Sequence, residues 1–412
     1  MHKRVYKRLA ALVLAASLAL PLTGCGIHAR ELTADIRQQT FDTATDLAEG
    51  GEDVAAFALA LLQNTDAGRK STLLSPLSVL YALGMTANGA SGTTLTQVED
   101  ITGMALTELN DYLYTFRMSL PEKGKDTTLA LSNSLWMRDV FRAEEDFLRT
   151  CVDYYGAEVY SSPFDGTFVS DVNGWVEKHT DGLIDELLTE EPSPRTMMYL
   201  INTAVFDGKW QEPFNSDASW DGTFLALNGE KQEAAYMSGC EHIYLSGHGA
   251  EGFLKPYGDG RYAFVALLPE EGTTLAELLS SLDGQKLYEL LCDHRYEQVQ
   301  VDIPRFTGST DIDLRQALEE MGVTDLFDST AADLRLLGSA SGDQLYVSGV
   351  CHKTCIEVTE KGTKAAAVTS VDVNSGGALP EKHITLDRPF LYLIVDTHAC
   401  LPLFTGTVTE LE

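Results

Sequence analysis

The spacing of apolar side chains along this chain switches between two periods, and each switch marks an element. Val54, Phe57, Leu61 and Leu62 form one stripe at three- and four-residue spacing, which predicts a helix capped by Asp53. An apolar run follows Ser75-Pro76 and continues through Met85; serine before a first-turn proline predicts a second helix. Val172 to Leu188 has one apolar face, with Trp175 and Val176 inward and Gly182 breaking it, and Leu275 to Leu291 also reads as helix. Phe141 to Tyr160 reads as a helix followed by a strand. Alternating or continuous apolar runs predict strands at 129–137, 262–268, 299–306, 351–360, 389–395 and 402–408. The chain shows no internal repeat.

One alternation stands apart. Glu360 to Ser375 reads EKGTKAAAVTSVDVNS, and Thr363, Ala365, Ala367, Thr369, Val371, Val373 and Ser375 are all small or apolar. The intervening positions hold every charge after Gly362, so one face is suited to burial and the other to water. The run exceeds the roughly five or six residues of a common strand. It ends in Ser375-Gly376-Gly377-Ala378, which reads as an exposed loop. A strand pattern that finishes as a loop suggests two states for one segment; an Ala/Thr-rich surface linker is the alternative.

Glu360-Lys361-Gly362-Thr363 followed by Ala365-Ala366-Ala367 resembles the hinge of the reactive-centre loop of serpins, and the resemblance extends over residues 50–412. It is carried also by Leu73-Leu74-Ser75-Pro76-Leu77-Ser78, by Asn88 to Thr93 with Gln97, and by Asn133-Ser134-Leu135-Trp136. YLINTAVFDGKW (Tyr199 to Trp210) and Met321 to Phe327 add to it. The resemblance implies an α+β fold: a large central β-sheet, two smaller sheets, about nine helices and an exposed reactive-centre loop near 360–385. It implies a hinge of Glu360, Gly362, Thr363, Ala365, Ala366, Ala367 and Thr369. It also implies a shutter of Ser75, Ser78, Asn202 and His352 under the sheet that opens, and Trp210 at the breach where the hinge enters. Taken alone, Ser75 reads as a helix cap and His352 as a core histidine. Asp207 departs from the family, which usually carries a basic or bulky residue there, and Lys364 stands where glutamate is common.

The reactive bond follows from the same resemblance. Counting forward from Gly362 gives Gly376-Gly377; counting back from Pro389 gives a position nearer Ala378-Leu379. Ser375, Gly376, Gly377, Ala378 and Leu379 are therefore the candidates. All but Leu379 suit a small specificity pocket of the elastase kind, and nothing basic lies there for a trypsin-like enzyme.

The N-terminus changes the address. Lys3, Arg4, Lys7 and Arg8 precede an apolar run from Leu9 to Leu20, then Leu22-Thr23-Gly24-Cys25, the pattern of a secretory signal with a cleavage site. Leu-Thr-Gly-Cys resembles the bacterial lipobox, which implies a signal peptide at 1–24 and a lipidated Cys25. Residues 25–50 then read as a polar anchor and tether with partial helical character, and 51–412 as the main domain. The protein is expected outside the cytoplasmic membrane, lipid-anchored or released from the cell surface.

The net charge of −31 across 412 residues disfavours nucleic acid and anionic lipid as partners. Six cysteines follow Cys25, scattered and without CxxC spacing, and in a domain of this size they read as buried free thiols rather than a disulfide framework. GxSxG, HExxH and GxxxxGK[ST] are all missing from the sequence, and nine histidines lack ligand spacing. The reading is a monomeric inhibitor, not an enzyme, with no cofactor or metal. Its partner is a target serine protease held as a covalent acyl-enzyme. A non-inhibitory serpin acting as binder or chaperone, and a lipid-anchored solute-binding protein, are the rival readings.

Overall fold

The computed structural model describes residues 27–43, 45–121, 126–182, 184, 186–194, 196–258, 260–293, 295–339, 344–363 and 380–411. Cys25, Ala365, Ala366, Ala367, Thr369, Ser375, Gly376, Gly377, Ala378 and Leu379 lie outside the described residues, as does the signal segment.

Long strands with one apolar face require a second layer, and two large sheets supply it to each other. The central sheet has seven strands in the order β1 (Arg30–Glu31), β5 (Glu158–Ser162), β3 (Thr127–Arg138), β6 (Met198–Lys209), β15 (Gly362–Thr363), β14 (Gly349–Thr359) and β12 (Phe306–Asp313). The second sheet runs β16 (Lys382–Thr385), β11 (Arg295–Pro304), β8 (Lys231–Gly247), β9 (Ala250–Pro256), β10 (Tyr262–Pro269), β17 (Phe390–Asp396), β18 (Leu401–Val408) and β2 (Thr72–Leu74). β7 (Trp220–Leu225) adds to β8, and β4 (Arg142–Ala143) pairs with β13 (Gly338–Ser339) as a third small sheet. Among the described residues nine helices surround them: α1 (Gly51–Gln63), α2 (Pro76–Ala87), α3 (Gly92–Thr102), α4 (Leu106–Ser119), α5 (Glu145–Tyr155), α6 (Phe168–His179), α7 (Leu275–Ser281), α8 (Gly284–Cys292) and α9 (Arg315–Met321).

One apolar core joins both sheets with α1 and α2, and every residue of α2 is buried. A smaller core lies on the other face of the central sheet. There Phe168, Val172, Trp175 and Val176 of α6 pack on Trp136, Tyr160 and Ile201.

Several expectations need correction. Helix α1 begins at Gly51, so Asp53 lies in its first turn beside Glu52, where carboxylates favour the positive helix end, and is not its cap. The α6 helix runs Phe168–His179 rather than Val172 to Leu188: Asn173 reaches forward to bond the backbone of Leu187 and Leu188, which run beyond the helix. The 275–291 run is two helices, because the Asp283 side chain accepts the Lys286 N–H and starts α8 afresh. Cys292 and Cys400 are paired, with Cα atoms 5.7 Å apart, joining the end of α8 to the β17–β18 turn. Of the other thiols Cys151 is buried, whereas Cys240 and Cys355 are exposed.

The stretch read as a tether is largely bound to the body. Arg30 and Glu31 add an edge strand to β5, and the Asp171 carboxylate of α6 accepts the His28 and Ala29 backbone N–H groups at 2.9 and 2.7 Å. Gln39 N–H donates to Asp153, and Phe41 N–H to the Tyr114 hydroxyl. Backbone donors of a polar segment find strand edges and carboxylates as readily as water, which composition does not reveal.

Candidate functional site

The central sheet is incomplete between β6 and β14. These strands pair directly, and in parallel, only from Tyr199–Gly349 to Thr203–Lys353. At the far end, Gly362 and Thr363 lie between them, pairing with Lys209 and Gly208 on one side and with Thr359 and Val358 on the other. A slot of strand width therefore has one end zipped and the other holding the first two residues of a new strand.

Beneath the zipped end, α2 meets the sheet through side chains from three distant parts of the sequence. Asn133, Asn202 and His352 occupy one row across β3, β6 and β14. The Asn202 amide donates to the Ser78 carbonyl at 2.9 Å and to the Asn133 side chain. His352 Nε2 accepts the Ser75 backbone N–H at 3.0 Å, and the Ser75 hydroxyl donates to the Leu403 carbonyl. The Ser78 hydroxyl donates to the Ser75 carbonyl, closing the first turn of α2. Burial holds the His352 pKa down at about 4, so the ring is neutral and, with Nε2 accepting, carries its proton on Nδ1. His352 Nδ1 and Asn202 Oδ1 are buried without a hydrogen-bond partner among the described residues. Ser75, Ser78, Asn202 and His352 are thus brought together, and Asn133 joins them. Its block had been singled out in the sequence, but its side chain had not.

At the open end, β14 turns back into β15 through Glu360 and Lys361. Three donors hold this turn: Trp210 Nε1–H to the Thr359 carbonyl at 2.8 Å, and the Trp210 and Phe214 backbone N–H groups to Lys361 and Glu360. Arg305 Nε donates to the Glu360 carboxylate at 2.7 Å. Gly362 has φ +152°, and a Cβ there would lie 2.1 Å from the Gly208 carbonyl oxygen, so only glycine allows the hinge to enter so close to β6. Thr363 is 0% exposed and its hydroxyl lies 2.5 Å from that of Tyr257, whose ring stacks on Trp210 at 4.3 Å. Sequence reasoning missed Tyr257 and Arg305; only the sheet-to-sheet packing brings them to the hinge.

A buried ion pair backs the same corner. Lys255 lies 2.6 Å from Glu241, the two being 3% and 7% exposed, and its ammonium sits 4.1 Å above the Phe214 ring. Burial pushes the Glu241 carboxyl up despite the lysine.

Downstream of residue 379, β16 pairs in parallel with β11 through Val299–Lys382 to Asp302–Thr385. Asp302 fastens it. Its carboxylate accepts from His383 Nε2 at 2.6 Å, Thr385 Oγ1 at 3.1 Å, Trp220 Nε1 at 3.3 Å and the Ser238 hydroxyl. These bonds outweigh burial and hold the Asp302 carboxyl below the usual carboxylate range.

The sequence profile of the family described as "Serpin (serine protease inhibitor)" matches residues 52–411. The chain is a serpin. Its sequence is 29% identical to leukocyte elastase inhibitor A of Mus musculus over 370 residues, covering 85% of this chain and 97% of the mouse protein. Among solved structures, the thermophilic serpin tengpin in its native state matches with a TM-score of 0.89 and 36% identity, over 93% of this chain and 100% of tengpin. Tengpin in its latent state matches with a TM-score of 0.79 and 34% identity, over 90% of this chain and 100% of tengpin. The serpin is therefore a member of a family of protease inhibitors, with a mixed central sheet, three sheets and nine helices among the described residues.

Proposed function

We propose that this serpin inhibits elastase-like or subtilisin-like serine proteases as a suicide substrate. A protease attacks the loop within Ser375 to Leu379 and forms an ester between its serine and the new C-terminus. The hinge then continues into the slot as a full strand and carries the bound protease away before water reaches the ester.

The observation that carries this reading is the register of the two residues already in the slot. Nine residues on from Thr363 is Asp372, nine back from Gly208 is Tyr199, and nine back from Val358 is Gly349. Tyr199 and Gly349 are themselves paired, so both edges of the slot accept one continuous strand of the same length. The alternation of Ala365, Ala367, Thr369 and Val371 would follow buried Thr363 inward, where large or charged side chains cost several kcal/mol. Filling the slot adds on the order of ten strand hydrogen bonds at about 0.5–1.5 kcal/mol net each. The sum rivals the roughly 5–15 kcal/mol that stabilises a typical domain, enough to distort an attached protease.

Residues Cys25 and Leu22-Thr23-Gly24 support a lipid anchor outside the cytoplasmic membrane as the site of action, with the protein acting as a monomer. The test is incubation with an elastase followed by denaturing electrophoresis. A covalent adduct of higher mass, with the bond mapped to 375–379, is expected. A shortened chain alone would indicate a non-inhibitory serpin, and potent trypsin trapping would overturn the specificity.

A further inference from the structure

The packed N-terminal segment determines where a lipid on Cys25 emerges. His28 and Ala29 are held by Asp171, which is 2% exposed, and Arg30 and Glu31 are zipped onto Ser161 and Tyr160 of β5. The His28 ring adds a third contact to the same carboxylate at 2.9 Å. Only three residue steps separate Cys25 from His28, and an extended chain covers at most about 3.3–3.6 Å per residue, so the reach is roughly 10 Å. A lipidated cysteine would have almost no free tether.

The strand registers give the level of this attachment. Tyr160 pairs with Trp136, and Trp136 with Tyr199, so the N-terminal segment joins the central sheet at the zipped end of the slot. The hinge enters at Gly208, nine residues along β6; at about 3.4 Å per residue the two ends are roughly 30 Å apart. The same end carries exposed apolar side chains: Val140, just beyond the end of β3, is 52% exposed, and Leu336, two residues before β13, is 51% exposed. Both border the small β4–β13 sheet.

We propose that this serpin sits directly on a lipid bilayer by the end of the central sheet that carries Asp171, Val140 and Leu336, with the hinge end facing away. The bilayer's acyl region takes the lipid of Cys25, and its interface takes the two apolar side chains. The inference rests on the lipid-anchor reading of Cys25 and stands independently of protease trapping. Combined with trapping it has a consequence. A loop inserted along the slot ends opposite Tyr199, so the captured protease is delivered to the membrane-facing end and must compete with the bilayer for space.

The test uses the full lipidated chain in phosphatidylcholine vesicles with an energy-transfer acceptor on the lipid headgroups. Donor dyes are attached at Asp139→Cys, beside Val140, or at Asp217→Cys, near the hinge turn, in a chain with Cys240 and Cys355 replaced by serine. Transfer severalfold stronger from position 139 is expected, and a twelve-residue Gly/Ser insertion between Gly26 and Ile27 should reduce it. Equal transfer from the two positions, insensitivity to the spacer, or a mature chain without lipid on Cys25 would overturn the proposal. Elastase trapping by the soluble Cys25→Ser chain is measured in parallel; its failure would remove the inhibitory reading and leave the orientation result intact.

Discussion

In the proposed mechanism, entry of the hinge turns on Thr363. It is fully buried, hydrogen-bonded to Tyr257 and lodged between two strands, so a charged replacement has no solvent to retreat to. Thr363→Arg should convert the protein from inhibitor to cleaved substrate, seen on a denaturing gel as a shift from adduct to shortened chain; undiminished adduct would sink the strand-insertion account. His352 acts through pH. Burial lowers its pKa from the ordinary 6.5 to about 4, so the unfolded chain binds the extra proton first as pH falls. Its contribution is complete above about pH 6.5 and is lost progressively toward pH 4, by about 3 kcal/mol in all. Comparing urea stability of the native protein and His352→Asn across this window should show the variant with the shallower pH dependence. Parallel curves would assign the acid sensitivity to other groups.

At the scale of elements, β15 and β16 bracket the loop, and each is held by a small number of side chains. The β14–β15 turn is gripped by Trp210, Phe214 and Arg305, and β16 by the Asp302 carboxylate. A four-residue edge strand has little else to hold it. Asp302→Ala removes four acceptor contacts, at a net cost of about 1–3 kcal/mol for a charged acceptor. Amides of 382–385 should then exchange with deuterium at least about tenfold faster than in the native protein. Unchanged exchange would mean that the backbone ladder to β11 suffices. The shutter row has the opposite character: among the described residues, His352 Nδ1 and Asn202 Oδ1 are buried without a hydrogen-bond partner at the seam where a new strand would part the sheet.

For the whole molecule, the described residues leave the slot beyond Thr363 unfilled, and in the proposed mechanism residues 364–372 fill it. From Thr363 to β16 the chain has only 16 intervening residues before Pro380. A strand of nine of them along the slot would leave ten residue steps to reach Lys382, at most about 36 Å at roughly 3.6 Å per residue, so a return over roughly 30 Å has almost no slack. Cutting the loop removes that constraint. Nicking within 375–379 should therefore raise the thermal midpoint by tens of degrees, since a gain on the order of 10 kcal/mol acts on a domain normally stable by 5–15. Calorimetry on intact and nicked protein measures it, and an unchanged midpoint would place this serpin among the non-inhibitory members of its family.

Strands β3, β5, β10, β11, β14, β17 and β18 and helices α1, α2, α5 and α6 were legible from periodicity, because which face of a segment is apolar is a local property of sequence; α3, α4 and β12 were not. The parity of Glu360 to Ser375 was legible for the same reason, whereas Gly362 came from the family resemblance; its positive φ and close approach to Gly208 belong to the fold. What sequence could not supply were partners brought together by folding. Tyr257 against Thr363, Arg305 against Glu360, Asn133 beside Asn202 and the Cys292–Cys400 pair all join segments separated by at least 55 residues. The polar N-terminal stretch was read as a tether because composition reports solubility, whereas its placement depends on which backbone donors find the edge of β5 and the carboxylates of Asp171 and Asp153. Sequence alone therefore determined the two-faced alternation of residues 360–375 and its chemistry; the tertiary structure decided where the slot opens, and at which end the chain is tied, because both depend on strand pairing between residues far apart in the chain.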